Sequence, residues 1–352
     1  MKSFGFLSFG HHSLDGKHGP LAGEALRQQI ELARAADEIG VNGAYFRVHH
    51  FAPQGSSPMP ILSAIAASTK NIEVGTGVID LRYENPLYLA EEAAALDLIA
   101  EGRVALGVSR GSPEPAERGW EAFGYRGGQA NGADMARQKF ELFMAAVRGA
   151  GEARSASLEE QYPALYKPGI PLPVFPQSPG LERRIWWGSG SHKTAEQDGV
   201  NLMSSTLVQE SDGASFGEIQ AEQIARYRAA WKEAGHGWTP RVSVSRTIFP
   251  LVAEEDRQLF GIRGEGEDQV GYLEGATKTT FGRTYAAEPD ALVEQLKADP
   301  AIEAADTLLL TIPNPLGVDV NFRILKNFAD YVAPALGWMP ATEGPAEGRS
   351  VG

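Results

Sequence analysis

The chain has 352 residues, of which 43% are hydrophobic, with six tryptophans, no cysteine and a formal charge of −13. That is enough apolar material for one large barrel or two medium domains, while the lack of cysteine excludes disulfides, thiolate metal sites and cysteine nucleophiles. Scattered acidic charge argues against nucleic acid as a partner, no run approaches the roughly 20 apolar residues of a membrane span, and the opening MKSFGFLSFGHH has no signal-peptide pattern, so a cytoplasmic protein is expected.

Ser3 to Phe9 reads as a short apolar strand. Residues 21–39 carry Leu26, Ile30, Ala33 and Ala36 at spacings of four and three, which predicts an amphipathic helix resting on that face, capped by Gly40. Gly43 to Arg47 is a second strand, 61–69 a second helix and Asn71 to Leu81 a third strand. Pro86 opens a third helix, where its missing N–H costs nothing, with Leu89, Ala93, Leu96 and Ile99 on one face, and Arg103 to Ser109 is a fourth strand. The alternation continues with helix 131–149, strand Ile185 to Gly188, helix 192–198, strand Asn201 to Ser204 and helix 215–235. Strand 241–249, helix 288–298, strand Asp306 to Thr311 and helix 319–332 complete it.

Repeated strand–helix units imply a parallel sheet, since each strand returns through a crossover. A doubly wound sheet and a closed barrel both satisfy this, and a count of eight strands favours the barrel, α/β (β/α)8. Residues 150–184 read as a long Pro- and Gly-rich connection and 205–217 as a polar one. Residues 261–284, after the seventh strand, show neither helical nor strand period and read as a long mobile loop. One domain over 1–338 and a frayed tail over 339–352 are expected.

In a barrel the chemistry lies where strands end at their carboxyl side. The second strand ends in Arg47-Val48-His49-His50-Phe51, and a histidine there suits proton transfer near neutral pH. A hydrogen-bonded structural histidine is the plainer alternative. Metal binding by the pair is disfavoured because adjacent strand residues point to opposite faces. Gly75-Thr76-Gly77-Val78 in the third strand suggests a bulge or a backbone surface for a planar ligand, or simply small residues in a crowded barrel. The fourth strand ends in Gly107-Val108-Ser109-Arg110-Gly111, which matches the nucleophile elbow of serine hydrolases, although Pro113 and Pro115 follow where the elbow needs a helix. Arg110 suggests an anion or carbonyl contact. Trp187-Gly188-Ser189-Gly190-Ser191-His192-Lys193-Thr194 precedes a predicted helix and offers backbone N–H groups, hydroxyls and a helix terminus to a phosphate, or else is an ordinary helix entry.

From His49-His50-Phe51 onward the chain resembles the bacterial luciferase family. The likeness continues through GTGVIDLRYENPLYLAEEAAALDLIAEGRVALGVSRG (75–111), Trp120 to Gly124, Arg137, Pro176-Gln177-Ser178-Pro179 and the 187–194 loop. The resemblance implies a TIM barrel that binds FMN, with Gly188 in the cofactor site and the flavin phosphate on Ser189, Gly190, Ser191 and Thr194, near Arg110 and Arg137. It lays the ring against Gly77 and Val78, close to Ser109, and makes His49 the catalytic residue. It further implies reduced FMN delivered by a partner flavin reductase, a small apolar aldehyde- or carbonyl-like substrate, and a homodimer. Val48 stands where the luciferases carry Glu, and Ser109 where light-emitting members carry Cys, so light emission is not implied. F420-dependent hydride transfer on the same fold, a serine hydrolase built on Ser109 and a non-catalytic flavin-binding subunit remain alternatives.

Overall fold

The computed structural model describes residues 3–111, 114–128, 131–191, 199–208, 213–273 and 277–341. The strands β1 (Ser3–Ser8), β2 (Gly43–Phe46), β3 (Glu73–Asp80) and β4 (Val104–Ser109) lie side by side and parallel. Two residues each, Ala153–Arg154 (β5) and Pro171–Leu172 (β6), form a small antiparallel hairpin in the long connection that follows. Next come β7 (Ile185–Ser189), β8 (Asn201–Ser204), the two-residue β9 (Leu207–Val208) and β10 (Val242–Pro250). β11 (Gln269–Leu273), β12 (Thr277–Phe281), β13 (Thr284–Ala287) and β14 (Thr307–Thr311) follow.

The order β1-β2-β3-β4-β7-β8-β10-β14 closes on itself, with Val242 opposite Leu202 on one seam and Ser3 opposite Thr307 on the other. This is the closed, eight-stranded parallel barrel of the TIM fold. The short β13 adds an edge to the carboxyl half of β10, pairing Thr284 with Thr247.

Strands covered on both faces read as continuous apolar runs, and every residue of β1, β2 and β4 is buried. Alternation then sorts the side chains. Leu7, Tyr45, Ala105, Trp186, Met203 and Leu309 fill the barrel, whereas Phe4, Phe6, Ala44, Val104, Leu106, Leu308 and Leu310 pack outward against the helices. The barrel is crowded at Gly75, where an added methyl would lie 2.9 Å from the Tyr45 ring and closer still to the Ala105 carbonyl.

The helices α1 (Ala22–Glu38), α2 (Pro58–Ser68), α3 (Pro86–Ile99) and α4 (Ala133–Val147) surround the first half of the barrel. Pro86 does open α3, behind Asn85, whose side chain accepts from the N–H groups of Leu87 and Tyr88. Gly40 ends α1 with φ +80°. The face expected for α1 needs correction, because the helix buries Ala25, Gln29, Leu32, Ala33 and Ala36 and leaves Leu26 exposed. Gln29 earns its place through hydrogen bonding: the Ser8 hydroxyl donates to its Oε1 at 3.1 Å and its amide donates to the Ala25 carbonyl. In α3, Ile99 is likewise exposed, while Asp97 is buried and held by Arg184 and Ser178. Helix α5 (Phe216–Glu233) begins with a Ser215–Glu218 capping box, and α6 (Glu254–Phe260), α7 (Pro289–Lys297), α8 (Pro300–Ala304) and α9 (Gly317–Tyr331) complete the layer. The helix expected over 192–198 lies outside the described residues.

The stretch 261–284 is not an unstructured loop. After a 3-10 turn at Gly261–Glu265 it forms the antiparallel pair β11–β12, and β12 also pairs with β9. Asp268 pins the base of this hairpin by accepting from the N–H of Phe216 at 2.7 Å and of Arg283 at 2.9 Å. Gly271 and the run Thr277-Lys278-Thr279-Thr280 dilute the alternation that would have marked the strands in sequence. Among the described residues no helix is long and apolar enough to cross a membrane.

Candidate active site

The carboxyl ends of β1, β2, β3, β4, β7 and β8 converge on one open cleft. Its walls include Phe9, Arg47, Val48, Gly77, Val78, Asp80, Ser109, Arg110, Glu114, Trp187, the 188–191 loop and Met203. Here β3 breaks register against β4 between Thr76 and Ile79, and the Gly77–Val78 peptide is cis. Gly107 and Gly188 make room for the Val78 side chain, since a methyl at either would lie 2.9 Å from Val78 Cγ1. With its side chain absorbed between neighbouring strands, Val78 leaves this irregular stretch of backbone as part of the cleft wall. Of the two glycines singled out in sequence, Gly75 therefore belongs to the crowded barrel and Gly77 to the cleft.

The turn after β7 is held from behind. The Ser189 hydroxyl donates to the Ser191 carbonyl at 2.8 Å, and the Gln223 amide donates to the same carbonyl at 2.9 Å. Gln223 accepts in turn from Ser204, and Ser204 from Gln220. Gln220 accepts from Arg246 at 2.7 Å, and Arg246 is paired through two nitrogens with Asp299, which also accepts from the Tyr285 hydroxyl. This buried chain runs from the loop through α5 and β10 to Asp299, at the start of α8. Nothing in local sequence connects its members. His192, Lys193 and Thr194 lie outside the described residues, so the expected phosphate cradle is described only as far as Ser191.

The remaining expected residues are distributed unevenly. Ser109 and Arg110 line the cleft; the Ser109 hydroxyl accepts from the Gly111 N–H at 2.8 Å. Arg110 makes no ion pair or hydrogen bond with other described residues. Arg137 is not in the cleft wall but stacks over Trp187, 5.3 Å from the ring centroid. His49 is also set back from the wall. Its Nε2 lies 3.3 Å from Glu114 Oε2, and it is Glu114 that lines the cleft. His50 faces away from both, stacked on Tyr83 at 4.1 Å and edge-on to Phe123. Burial, with His49 and Arg82 nearby, lowers its pKa to about 4, so it is neutral at ordinary pH.

The hydrolase geometry is not met. An elbow needs a strand running directly into a helix, and after Ser109 no described helix begins before the 3-10 turn at Gly119–Glu121.

Three charged cleft residues were missed in sequence. Asp80 ends β3 and holds Arg82 in a two-pronged pair, with Nη2–Oδ2 at 2.6 Å. Its position at a strand end was a usable signal. Burial raises the Asp80 pKa and Arg82 opposes the rise. Arg47 packs over Phe9, with burial lowering its pKa and Glu114 opposing. Glu114 sits in the irregular segment after β4, where no periodicity marks it. Burial and the nearby Asp80 raise its pKa to about 7.

A barrel whose cleft lies at its carboxyl face, with an irregular backbone bulge on one wall and a serine–glycine turn on the other, can now be set beside known proteins. The family model described as luciferase-like monooxygenase matches residues 1–259. The chain belongs to the luciferase-like monooxygenase family. Among curated relatives, the chain is 27% identical over 245 residues to the uncharacterized protein YwcH of Bacillus subtilis, a match that covers 68% of this chain and 66% of that one. It is 25% identical over 240 residues to the oxygenase component of the flavin-dependent trigonelline monooxygenase of Acinetobacter baylyi, covering 66% of this chain and 61% of that one. The chain thus spans somewhat under two thirds of these relatives' own length.

Solved structures of low sequence identity share the fold. The monooxygenase RslO1 from Streptomyces bottropensis superposes with a TM-score of 0.68 at 20% identity, over 96% of this chain and 100% of that one. The FMN complex of the oxygenating constituent of 3,6-diketocamphane monooxygenase from Pseudomonas putida gives 0.59 at 20%, covering 95% and 99%. The F420-dependent tetrahydromethanopterin reductase from Methanopyrus kandleri gives 0.60 at 15%, again covering 95% and 99%.

Proposed function

We propose that this chain is the oxygenase component of a two-component monooxygenase, taking reduced FMN from a separate flavin reductase and oxygenating a small apolar aldehyde- or carbonyl-like substrate. The observation that carries the reading is the make-up of the cleft. Arg110, which makes no ion pair or hydrogen bond with other described residues, lines the cleft together with a turn of small residues and hydroxyls at 188–191, and the Gly77–Val78 backbone forms part of its wall. An anionic tail fits the first pair of features, with hydroxyls and a guanidinium as donors. A planar ring fits the second, where no side chain projects from Gly77.

Bound reduced FMN supplies two electrons and two protons, so that one atom of O2 enters the substrate and the other leaves as water. The residues of the chain bind, orient and exclude water. Arg110, Ser189 and Ser191 hold the anionic end, with Gly188 and Gly190 admitting it and Thr194 completing the cradle by family likeness. Gly77, Val78 and Ser109 flank the ring. Arg137 steadies Trp187, and His49 serves proton movement through the cleft carboxyl beside it. The relative described as an oxygenase component supports a separate reductase for this chain. Exposed Tyr88, Leu98 and Ile99 on α3 support a homodimer.

Anaerobic titration with reduced FMN and with reduced F420, followed by air, tests the reading. Binding of reduced FMN and oxygen transfer on aeration are expected. Arg110→Ala should weaken binding about 10- to 100-fold, the equivalent of about 1.5–3 kcal/mol for hydrogen bonds to a charged group. Tight F420 binding without oxygen uptake would move the chain to hydride transfer, and binding of neither would overturn the flavin reading.

A further inference from the structure

We propose that Glu114 is the proton-holding residue of the cleft, carrying a proton at Oε2 in the loaded protein and releasing it to the reacting oxygen, with His49 as its positioning residue. Three observations on the geometry carry this. The Glu114 side chain is 3% exposed yet lines the cleft. Its Oε2 is buried and makes no hydrogen bond among the described residues, while His49 Nε2 stands 3.3 Å away. A buried carboxylate oxygen without a donor is costly, and either a proton on it or a ligand against it removes the cost.

The surroundings favour a carboxyl that gains and loses a proton over one that is permanently charged. Asp80, on the end of β3, pushes Glu114 toward the acid form, and Tyr83 and His49 also face it. The His50 backbone N–H, Arg82 and Arg47 favour the anion. Burial and Asp80 prevail, and the balance falls at about 7, where a group can act as both acid and base at neutral pH. By contrast, Asp80 has a full guanidinium partner in Arg82 and no such freedom.

In the step assigned to it, the O–H bond at Glu114 Oε2 breaks and its proton passes to the oxygen atom that leaves as water. The carboxylate is favoured by the His50 N–H and the two arginines, and it regains a proton from solvent, to which one of the two protons supplied with the reduced flavin is released, so that the water carries two protons in all. No electron changes hands in this step. The identity of the acceptor rests on the monooxygenase reading; the proton on Glu114 does not.

The test begins on the protein without flavin. Isotope-edited infrared difference spectra across a pH titration should show one carboxylic acid that ionises near neutrality and is absent from Glu114→Gln. Asp80→Asn, which removes the carboxylate that disfavours ionisation, should move that midpoint down. With flavin, Glu114→Gln should still bind FMN but lose the neutral-pH limb in product formed per reduced flavin consumed. A wild-type spectrum with no Glu114-dependent carboxyl above the ordinary carboxylate range overturns the proposal, as does a pH limb unchanged in a folded, FMN-binding Glu114→Gln. A carboxyl that titrates as described in a protein that binds neither flavin supports the proton-holding role and overturns the flavin reading instead.

Discussion

Glu73 and Glu114 are both carboxylates almost wholly shielded from solvent, 7% and 3% exposed, yet the barrel treats them in opposite ways. Glu73 begins β3, at the end of the barrel away from the cleft. Arg241 grips it with two nitrogens at 2.6 and 2.9 Å, and the Tyr45 hydroxyl donates to it at 3.0 Å. Arg241 in turn lies over the Trp186 ring. Burial works to lower the Arg241 pKa, but the Glu73 carboxylate outweighs it and the value is raised. Glu114, at the cleft, has the diffuse influence of several charges and, among the described residues, no hydrogen-bond donor on Oε2. A buried charge with all its bonds made is rigid and inert; one left short of a donor can take up a proton or a ligand. The same side chain thus serves as a structural plug at one end of the barrel and as chemistry at the other.

Removing the guanidinium from the closed end should have the largest effect. Arg241→Met strands Glu73 as a buried charge and is expected to cost about 3–5 kcal/mol of stability, whereas the double variant Glu73→Leu/Arg241→Met should recover most of it. Urea unfolding of the three proteins measures both. A single variant no worse than the double would dissolve the contrast, because Glu73 would then need its partner no more than Glu114 does.

The dependence on pH sharpens the comparison at the open end. His50, at about 4 when folded against 6.5 unfolded, binds fewer protons in the folded state. Its contribution is therefore present above the unfolded value and lost as pH falls from 6.5 toward 4, on the order of 3 kcal/mol in all. Glu114, raised from 4.5 to about 7, has the opposite sign, stabilising below its unfolded value and losing that stability as pH rises through about 7. Between the two unfolded values the slopes oppose each other, and above 6.5 only Glu114 acts. Unfolding midpoints should decline gently from pH 6.5 through about 7 and then level off in the wild type, and should show no such decline in Glu114→Gln, while His50→Phe should remove the acid-side loss.

The smallest effect is expected behind the serine–glycine turn. Gln223→Ala removes the donor to the Ser191 carbonyl, for a stability loss of about 1 kcal/mol, with a matching modest weakening of reduced FMN binding read by fluorescence titration. An unchanged affinity would show that the turn keeps its shape without the buried Gln220–Ser204–Gln223 chain.

Much of the architecture was legible because it depends on patterns that survive any environment. The unbroken apolar runs of β1 and β4, the Asn85-Pro86 entry to α3 and the Gly40 stop of α1 each carry their own local cause. The exposed Leu26 shows where local reasoning fails. Its spacing suited a buried face, but α1 buries Gln29, bonded to Ser8, and leaves Leu26 in solvent. The β11–β12 hairpin escaped notice for a related reason, since threonines that pack against neighbours look like loop residues until the neighbours are known.

By itself the sequence determined a repeating strand–helix chain with eight principal parallel strands, and it marked the strand ends at Gly77, Arg110 and Ser189 as places of unusual chemistry. The tertiary structure alone decided which of these residues meet. It put Gly77 in the cleft and Gly75 under the Tyr45 ring, set His49 behind the wall, and brought Glu114, Asp80 and Arg47 together from three different strand ends. Periodicity and capping are properties of neighbours in the chain, whereas the protonation and exposure of a side chain depend on charges and packing contributed by residues far from it in sequence.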